Sequence, residues 1–583
     1  MKGNVRWVPA WITAYRRANL ASDLVAGLMV TVLVIPQSLA YALLAGLPPQ
    51  AGLYVSILPV IAYALLGSSL TQAVGPVAIT AIMTFAALSP LEAPGSPQYI
   101  ALAASLSLLT GVLILALGVF RLGFLSHLLS RPVISGFISG SAVLIVVSQI
   151  KFLFGVAVGT GSTWQVLLNL YDKLPDANPL TLMIGVTAMV LLLASRRWLA
   201  RGLAGIGMTV SRAEFTVRLV PLVIVLLATI LVSVLDLDLG RGVAVVGTVK
   251  EGLASFIFFA PSLGDLRQLA VPALLVAFIG MVQSLTMAQA LAIKRREKIN
   301  ANRELAGLGA ANIVAAFYGG MPVGGGVSRS AVNVAAGAQS PLASIVSAVT
   351  MLCIIAAGTQ WFARLPLTVL AASIVVAAIS MIDLQAFRQA WSYDRADALA
   401  LLGTAGGVLV LGLQWGIALG IGLSLATLLL RASTPHIAVI GRIAGTEHFR
   451  NIERHGVETI VGVLFLRIDE SLFFGNLNAI ETRLNTELEH RPDTHDLVLI
   501  MSAVNRVDTT AMEVLTDLNR ELDERGVRLH LAEVKGPVQD RLVNSPLWKA
   551  LTGKVYLSVN GAFEEFAEVR RPVAWTEPEW RSP

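Results

Sequence analysis

Two glycine- and proline-rich interruptions in an otherwise apolar sequence carry residue types from which a small-anion site can be built. The first reads TQAVGPVAITAIM, with Gly75-Pro76 ahead of a short apolar stretch. The second reads GGMPVGGGVSRSAVNVAAGA, where Pro322 and the run Gly324, Gly325, Gly326 precede another. A helix that begins inside a membrane leaves its first N–H groups unpaired and presents the positive end of its dipole. Two such ends facing one another make an anion site from backbone alone. The glycines allow backbone to approach a ligand closely; the plainer reading is that they only kink or pack helices. Ser328 and Arg329 favour a site. An arginine in an apolar membrane stretch is costly and usually marks a pathway or a charge partner. No acidic residue lies nearby in this stretch to neutralise it, whereas an anion would. The competing reading has Arg329 reaching out to an interface.

The elements that must hold these residues are membrane spans. Between Leu20 and Leu430 one apolar run follows another, each about 17–25 residues long, the length a helix needs to cross hydrocarbon. Only 14% of the 583 residues are charged, against roughly a quarter in soluble proteins. About fourteen apolar segments are discernible. The connections around Arg121–Arg131, Arg196–Arg218 and Lys294–Arg303 are basic, and those around Glu92–Pro97, Asp172–Asp176 and Asp236–Asp265 are not. The alternation places the basic links and both termini in the cytosol, in an inner membrane. Paired as seven plus seven, the two interruptions fall in the third and tenth spans, where discontinuous helices of inverted repeats hold substrate. The net charge of +6 then reads as a topology signal and not as a nucleic-acid surface. Cys353 is the only cysteine, so no disulfide framework is possible. No cleavable signal, cofactor or metal site is expected.

Four segments together carry a family resemblance: Ile35–Ser69, the Val74–Met83 stretch, Asn302–Ile313 and Gly319–Asn333. They resemble, in order and over nearly the whole chain, the SulP group of sulfate permeases. That group includes bicarbonate, dicarboxylate and chloride transporters and the motor protein prestin. The resemblance implies a fourteen-span inverted repeat with core and gate domains, and a homodimer. It also implies an anion pocket formed by Gln37 and Tyr41 of the first span, Val77 and Ala78 at the start of the third, and Val327, Ser328 and Arg329 at the start of the tenth. One position departs. Where many bacterial relatives carry an acidic residue in the eighth span, this chain has Gln283, in FIGMVQSLTMAQALA. A neutral amide cannot titrate, which implies different coupling, plain exchange of anions, or an engineered position.

Beyond Arg431 the texture becomes charged and alternating. Val457–Leu466, His495–Val504, Val527–Val534 and Lys554–Val559 read as strands, with helices over Asp508–Arg525 and Pro537–Leu551. Strands alternating with helices predict a mostly parallel sheet with covered faces. This part resembles a STAS domain, shared by sulfate transporters and anti-sigma-factor antagonists. Thr509 stands where antagonists carry a phosphorylatable serine, and the plainer reading is a helix capped by Asp508. The expected organisation is an N-terminal cytosolic segment 1–19, a transmembrane domain 20–431, a cytosolic STAS domain 432–571 and a tail 572–583. With no P-loop, zinc spacing or nucleophile elbow, no enzyme is indicated. The expected function is secondary transport or exchange of a small anion, sulfate first, by alternating access between the third and tenth spans. Bicarbonate or dicarboxylate transport, and an anion-sensing receptor signalling through the STAS domain, are the alternatives.

Overall fold

The computed structural model describes residues 9–128, 130–158, 163–247, 261–358 and 362–575. Part of the expected N-terminal segment (1–8), the 248–260 portion of the acidic link and most of the tail (576–583) lie outside them. Two compact units divide between Leu425 and Ala426.

The first unit is helical. Its elements include α1 Leu20–Leu44, α2 Ala78–Leu88, α3 Pro97–Val119, α4 Arg131–Phe154, α5 Pro179–Ala194 and α6 Val210–Val234. They continue with α7 Leu263–Arg295, α8 Ala301–Phe317, α9 Val327–Ala335, α10 Leu342–Ala357 and α11 Leu367–Ile379. Among the described residues eight helices are long and apolar enough to cross a membrane, and three shorter apolar ones accompany them, Ala78–Leu88 among these. Local signals set the boundaries. Ser96 accepts from the Tyr99 amide and Pro97 opens α3. Ser262 and Asp265 form a capping box at α7, and Gly155, left-handed at φ 67°, ends α4. α3 and α8 pack so closely that a Cβ on Gly118 would lie 2.7 Å from the Asn302 carbonyl oxygen, the small-residue packing that membrane helices use.

Two carboxylates are buried in this unit with full sets of donors. Asp23 accepts from the Gln339 and Ser340 amides and the Ser340 hydroxyl. Glu304 accepts from the Ser68 and Ser69 amides, the Ser68 hydroxyl and Tyr63. Each pins the chain beside an interruption, and a buried polar group so surrounded avoids the penalty of an unmade hydrogen bond.

The second unit is α/β. Its strands are β3 Ile437–Arg442, β4 Phe449–Asn451, β5 Glu458–Ile460, β6 Val463–Ile468, β7 Asp496–Ile500, β8 Arg528–Ala532, β9 Val555–Tyr556 and β10 Pro572–Ala574. The sheet runs β10-β5-β3-β6-β7-β8-β9, with β4 on β3. β6 to β9 are parallel, while β3, β5 and β10 pair antiparallel. The sheet is therefore mixed. Alternate residues feed two cores. Leu464, Leu466, Leu497 and Leu529 face the helix Thr509–Glu524, and Phe465, Val498 and Ile500 face Val559–Val569. Each such residue contributes about 1.5–3 kcal/mol relative to exposure.

Candidate functional site

At the first interruption Val74–Gly75 forms a two-residue strand, β1; at the second Gly324–Gly325 forms another, β2. They pair antiparallel, Val74 with Gly325 and Gly75 with Gly324. Each strand runs directly into a short helix, α2 after Val77 and α9 after Gly326. Antiparallel pairing obliges the two helices to leave in opposite directions, so both first turns lie at one short ladder. Non-helical backbone buried inside a membrane protein must find its hydrogen bonds in protein, and several elements supply them here. Asn312 takes both the N–H and the C=O of Val323. Ser284 accepts from the Gly325 amide at 2.9 Å, Ser330 from the Ala73 amide at 3.0 Å. Thr80 donates to the Pro322 carbonyl, and Asn333 to that of Thr71.

Beside the ladder lies a cavity of about 280 Å³, roughly nine times a water molecule's share of liquid volume. Gln37, Tyr41, Ser328 and Ser373 are its polar wall, against Leu33, Ile374 and other apolar groups. Two proline-interrupted helices flank it. Pro36 lies inside α1 and Pro221 inside α6, and both line the cavity together with Val32 and Val217. Proline has no N–H, so the Val32 and Val217 carbonyls lack their usual donors four residues on. The Gln37 Oε1 atom is buried and has no hydrogen-bond partner among the described residues.

The residues read from sequence are therefore distributed unequally. Gln37, Tyr41 and Ser328 line the cavity. Arg329, 2% exposed, is turned behind the ladder and donates to the Pro76 carbonyl. A Cβ on Gly326 would lie 2.9 Å from its Nε, and one on Gly75 would collide with the guanidinium, so glycine at both positions makes room for the charge. No carboxylate pairs with Arg329 among the described residues. Val77 caps α2 from a buried position, and Ala78 is half-buried against the core. Val327 is 57% exposed and does not line the cavity. Gln283 faces a separate apolar void of about 20 Å³ among Ile79, Phe137 and Ile417, and its Oε1 has no partner among the described residues. In the second unit Thr509 is exposed in the first turn of its helix, which Asp508 caps through the Ala511 amide at 2.8 Å.

Sequence reasoning passed over Ser373 and the polar groups that secure the ladder. Their signal was present, since Ser284, Asn312 and Ser330 are polar residues inside apolar spans, where each must find a partner.

Comparison with known proteins bears on the family and the fold. The family model described as the sulfate permease family matches residues 20–404, and that of the STAS domain matches 455–562. A "Probable sulfate transporter" of Mycobacterium tuberculosis is 33% identical over 540 residues, covering 92% of this chain and 93% of its own. A chloroplastic sulfate transporter of Arabidopsis thaliana is 31% identical over 565 residues, covering 94% and 80%. The murine solute carrier 26 family member A9 anion transporter, solved in the inward-facing state, superposes with a TM-score of 0.86 at 22% identity. That match covers 96% of this chain and 93% of the other. The transmembrane domain of a cyanobacterium bicarbonate transporter gives a TM-score of 0.60 at 23% identity, covering 70% and 99%. At such identities the two structures show a shared fold.

Proposed function

This chain belongs to the sulfate permease family, and from that premise we propose that it is a secondary transporter or exchanger of small anions, sulfate first. It works by alternating access around the cavity beside the β1–β2 ladder. The observation that carries this reading is the pairing of two helix starts at one buried crossing, with Arg329 behind it and Gln37, Tyr41 and Ser328 in front. An anion there receives hydrogen bonds from Ser328 and the Gln37 amide. Tyr41 forms a wall. The helix starts at Val77–Ala78 and Val327 supply positive potential, and Arg329 reinforces it without direct contact. Charge-assisted bonds of this kind contribute about 1.5–3 kcal/mol each, enough to select an anion in a wall that is otherwise apolar.

The cell inner membrane, cytoplasmic termini, a homodimer, the domain limits 1–19, 20–431, 432–571 and 572–583, and a regulatory hydroxyl at Thr509 belong to the same reading. Uptake of labelled sulfate into proteoliposomes of the purified chain, with bicarbonate and dicarboxylates as competitors, tests it. Saturable sulfate uptake is the expected result. Preferential bicarbonate or dicarboxylate flux would reassign the substrate, and anion binding without flux would indicate a receptor.

A further inference from the structure

A second anion-seeking feature lies at the opposite ends of two tightly packed helices, away from the transport cavity. Where α3 ends and α8 begins there is an open cleft of about 460 Å³, lined by Arg121 and Arg303 together with Asn300 and Asn302. Both arginines are exposed, and neither makes an ion pair among the described residues. The carboxylates that neighbour them in sequence are engaged elsewhere. Glu304 turns inward to Tyr63, Ser68 and Ser69, and Glu297 bonds Arg295 at 2.7 Å. The link before α8 adds Arg296 and Lys298, both exposed.

The backbone at Arg121 is informative. It adopts the left-handed region at φ 59°, directly after α3, with the Leu122 amide reaching back to the Leu117 carbonyl at 2.8 Å. That is the helix-ending conformation in which glycine is the usual residue, and an arginine there is strained. Strain of this kind points to a use for the side chain. Apolar surface adjoins the charge: Val119, Phe120 and Phe124 are 66%, 72% and 59% exposed. An occupant of matching chemistry is anionic at one end and apolar at the other.

We propose that this cleft seats the phosphodiester headgroup of an anionic glycerophospholipid. Arg121 and Arg303 grip the phosphate, Asn302 donates through its Nδ2, and the acyl chains run along Val119, Phe120 and Phe124. The Asn302 Oδ1 is already fixed by the Gly123 amide at 3.1 Å, which orients that donor. Arg303 is held in turn by its Nε bond to the Leu66 carbonyl, 3.2 Å. Basic clefts between helix ends on the cytoplasmic side bind such headgroups, each arginine changing affinity by about fivefold.

The test uses the full chain in phosphatidylcholine nanodiscs carrying a minor fraction of a photoactivatable phosphatidylglycerol. Retained lipid is counted by native mass spectrometry, and crosslinks are mapped by peptide analysis. Crosslinks are expected in residues 118–124 and 300–306. Retention should fall about fivefold in Arg121→Gln, about 25-fold in Arg121→Gln/Arg303→Gln, and little in Arg121→Lys. Arg121→Gly should lose lipid equally while relieving the left-handed strain, so misfolding cannot account for its loss. The proposal is overturned if Arg121→Gln and Arg121→Gly retain lipid like the parent chain, or if crosslinks fall elsewhere. It is also overturned if inorganic phosphate strips the lipid as readily from the parent as mutation does, which would assign the cleft to free phosphate.

Discussion

At the scale of single residues, Arg329 is the group whose role the geometry sharpens most. It is a buried cation with one hydrogen bond, to the Pro76 carbonyl, and no carboxylate partner among the described residues. A buried ion without a counter-charge weakens the fold that contains it, so this residue is held against stability, as functional groups often are. If sulfate is the ligand, as proposed, it should raise the melting temperature of the parent protein; Arg329→Ala should abolish most of that gain while leaving the anion-free melting temperature undiminished. A drop of several degrees without anion would make Arg329 a structural support. Gln283 tests the opposite case, a neutral group where a titratable one would serve. It sits among Ile79, Phe137, Ile279 and Ile417 with no partner for its Oε1 among the described residues. The parent chain should show no pH dependence assignable to this position, and Gln283→Glu should introduce one, read as sulfate flux against pH and Na⁺. Steep proton or Na⁺ coupling in the unaltered chain would place the coupling group elsewhere.

At the scale of elements, the two interruptions were legible because glycine and proline break apolar periodicity in a way that side chains alone do not. Their mutual pairing was not legible. The partners Val74 and Gly325 are 251 positions apart, and nothing local in either stretch encodes the register. Arg329 illustrates the same boundary: its type announced a site, but only the fold places it behind the ladder and leaves Ser328 facing the cavity. In the second unit the expected strand Val457–Leu466 is two strands, because Gly462, left-handed at φ 79°, turns the chain between β5 and β6. The expected helix Pro537–Leu551 likewise divides, since Ser545 caps a fresh start at Pro546. Both signals were present and were outweighed by the apolar run around them. The sheet also carries a charged centre that no pattern revealed. Asp496 is buried, and it meets His530 at 3.1 Å, Arg528 at 2.7 Å and Arg570 at 3.5 Å. His530 accepts from the Lys554 amide at Nδ1, which leaves its Nε2–H to face Asp496. Burial pushes the Asp496 carboxyl up, but the hydrogen bond from His530 and the charge of Arg528 outweigh it and hold the group below its usual value. A carboxylate depressed in the folded state stabilises it above the unfolded value, near pH 4, and that contribution fades as pH falls through the folded value. Hydrogen exchange of β7 and β8 in the full chain, corrected for intrinsic rates, should be faster in Asp496→Asn at pH 6. The difference should close below about pH 4. A gap that persists unchanged in acid would show that packing, not ionisation, sets the stability there.

At the scale of the whole molecule, the question is whether the proposed anion pocket needs the second unit. All residues that line the cavity fall between Val32 and Ala377. The groups that secure the ladder, Thr71 to Asn333, fall in the same span. The second unit has its own two cores on the faces of its own sheet, built from residues after Ile437. Each unit thus has a hydrophobic core of its own, as a domain does. A chain ending at Thr434 keeps every residue of the pocket and of the ladder, together with the whole helix Leu413–Ser433. It should bind sulfate with an affinity within about threefold of the full chain, since no hydrogen bond worth about 1 kcal/mol or more is removed from the site. Turnover is a separate quantity, because the proposed alternating access depends on motions of one part of the transporter against another, which an attached domain can speed or slow. Calorimetric titration of sulfate into both proteins in the same detergent separates the two. Equal affinity with altered flux would make the second unit a regulator of motion. If the truncated protein is monodisperse and helical by circular dichroism yet binds no sulfate, the pocket is incomplete without that unit, and the assignment of the site to residues between Val32 and Ala377 falls.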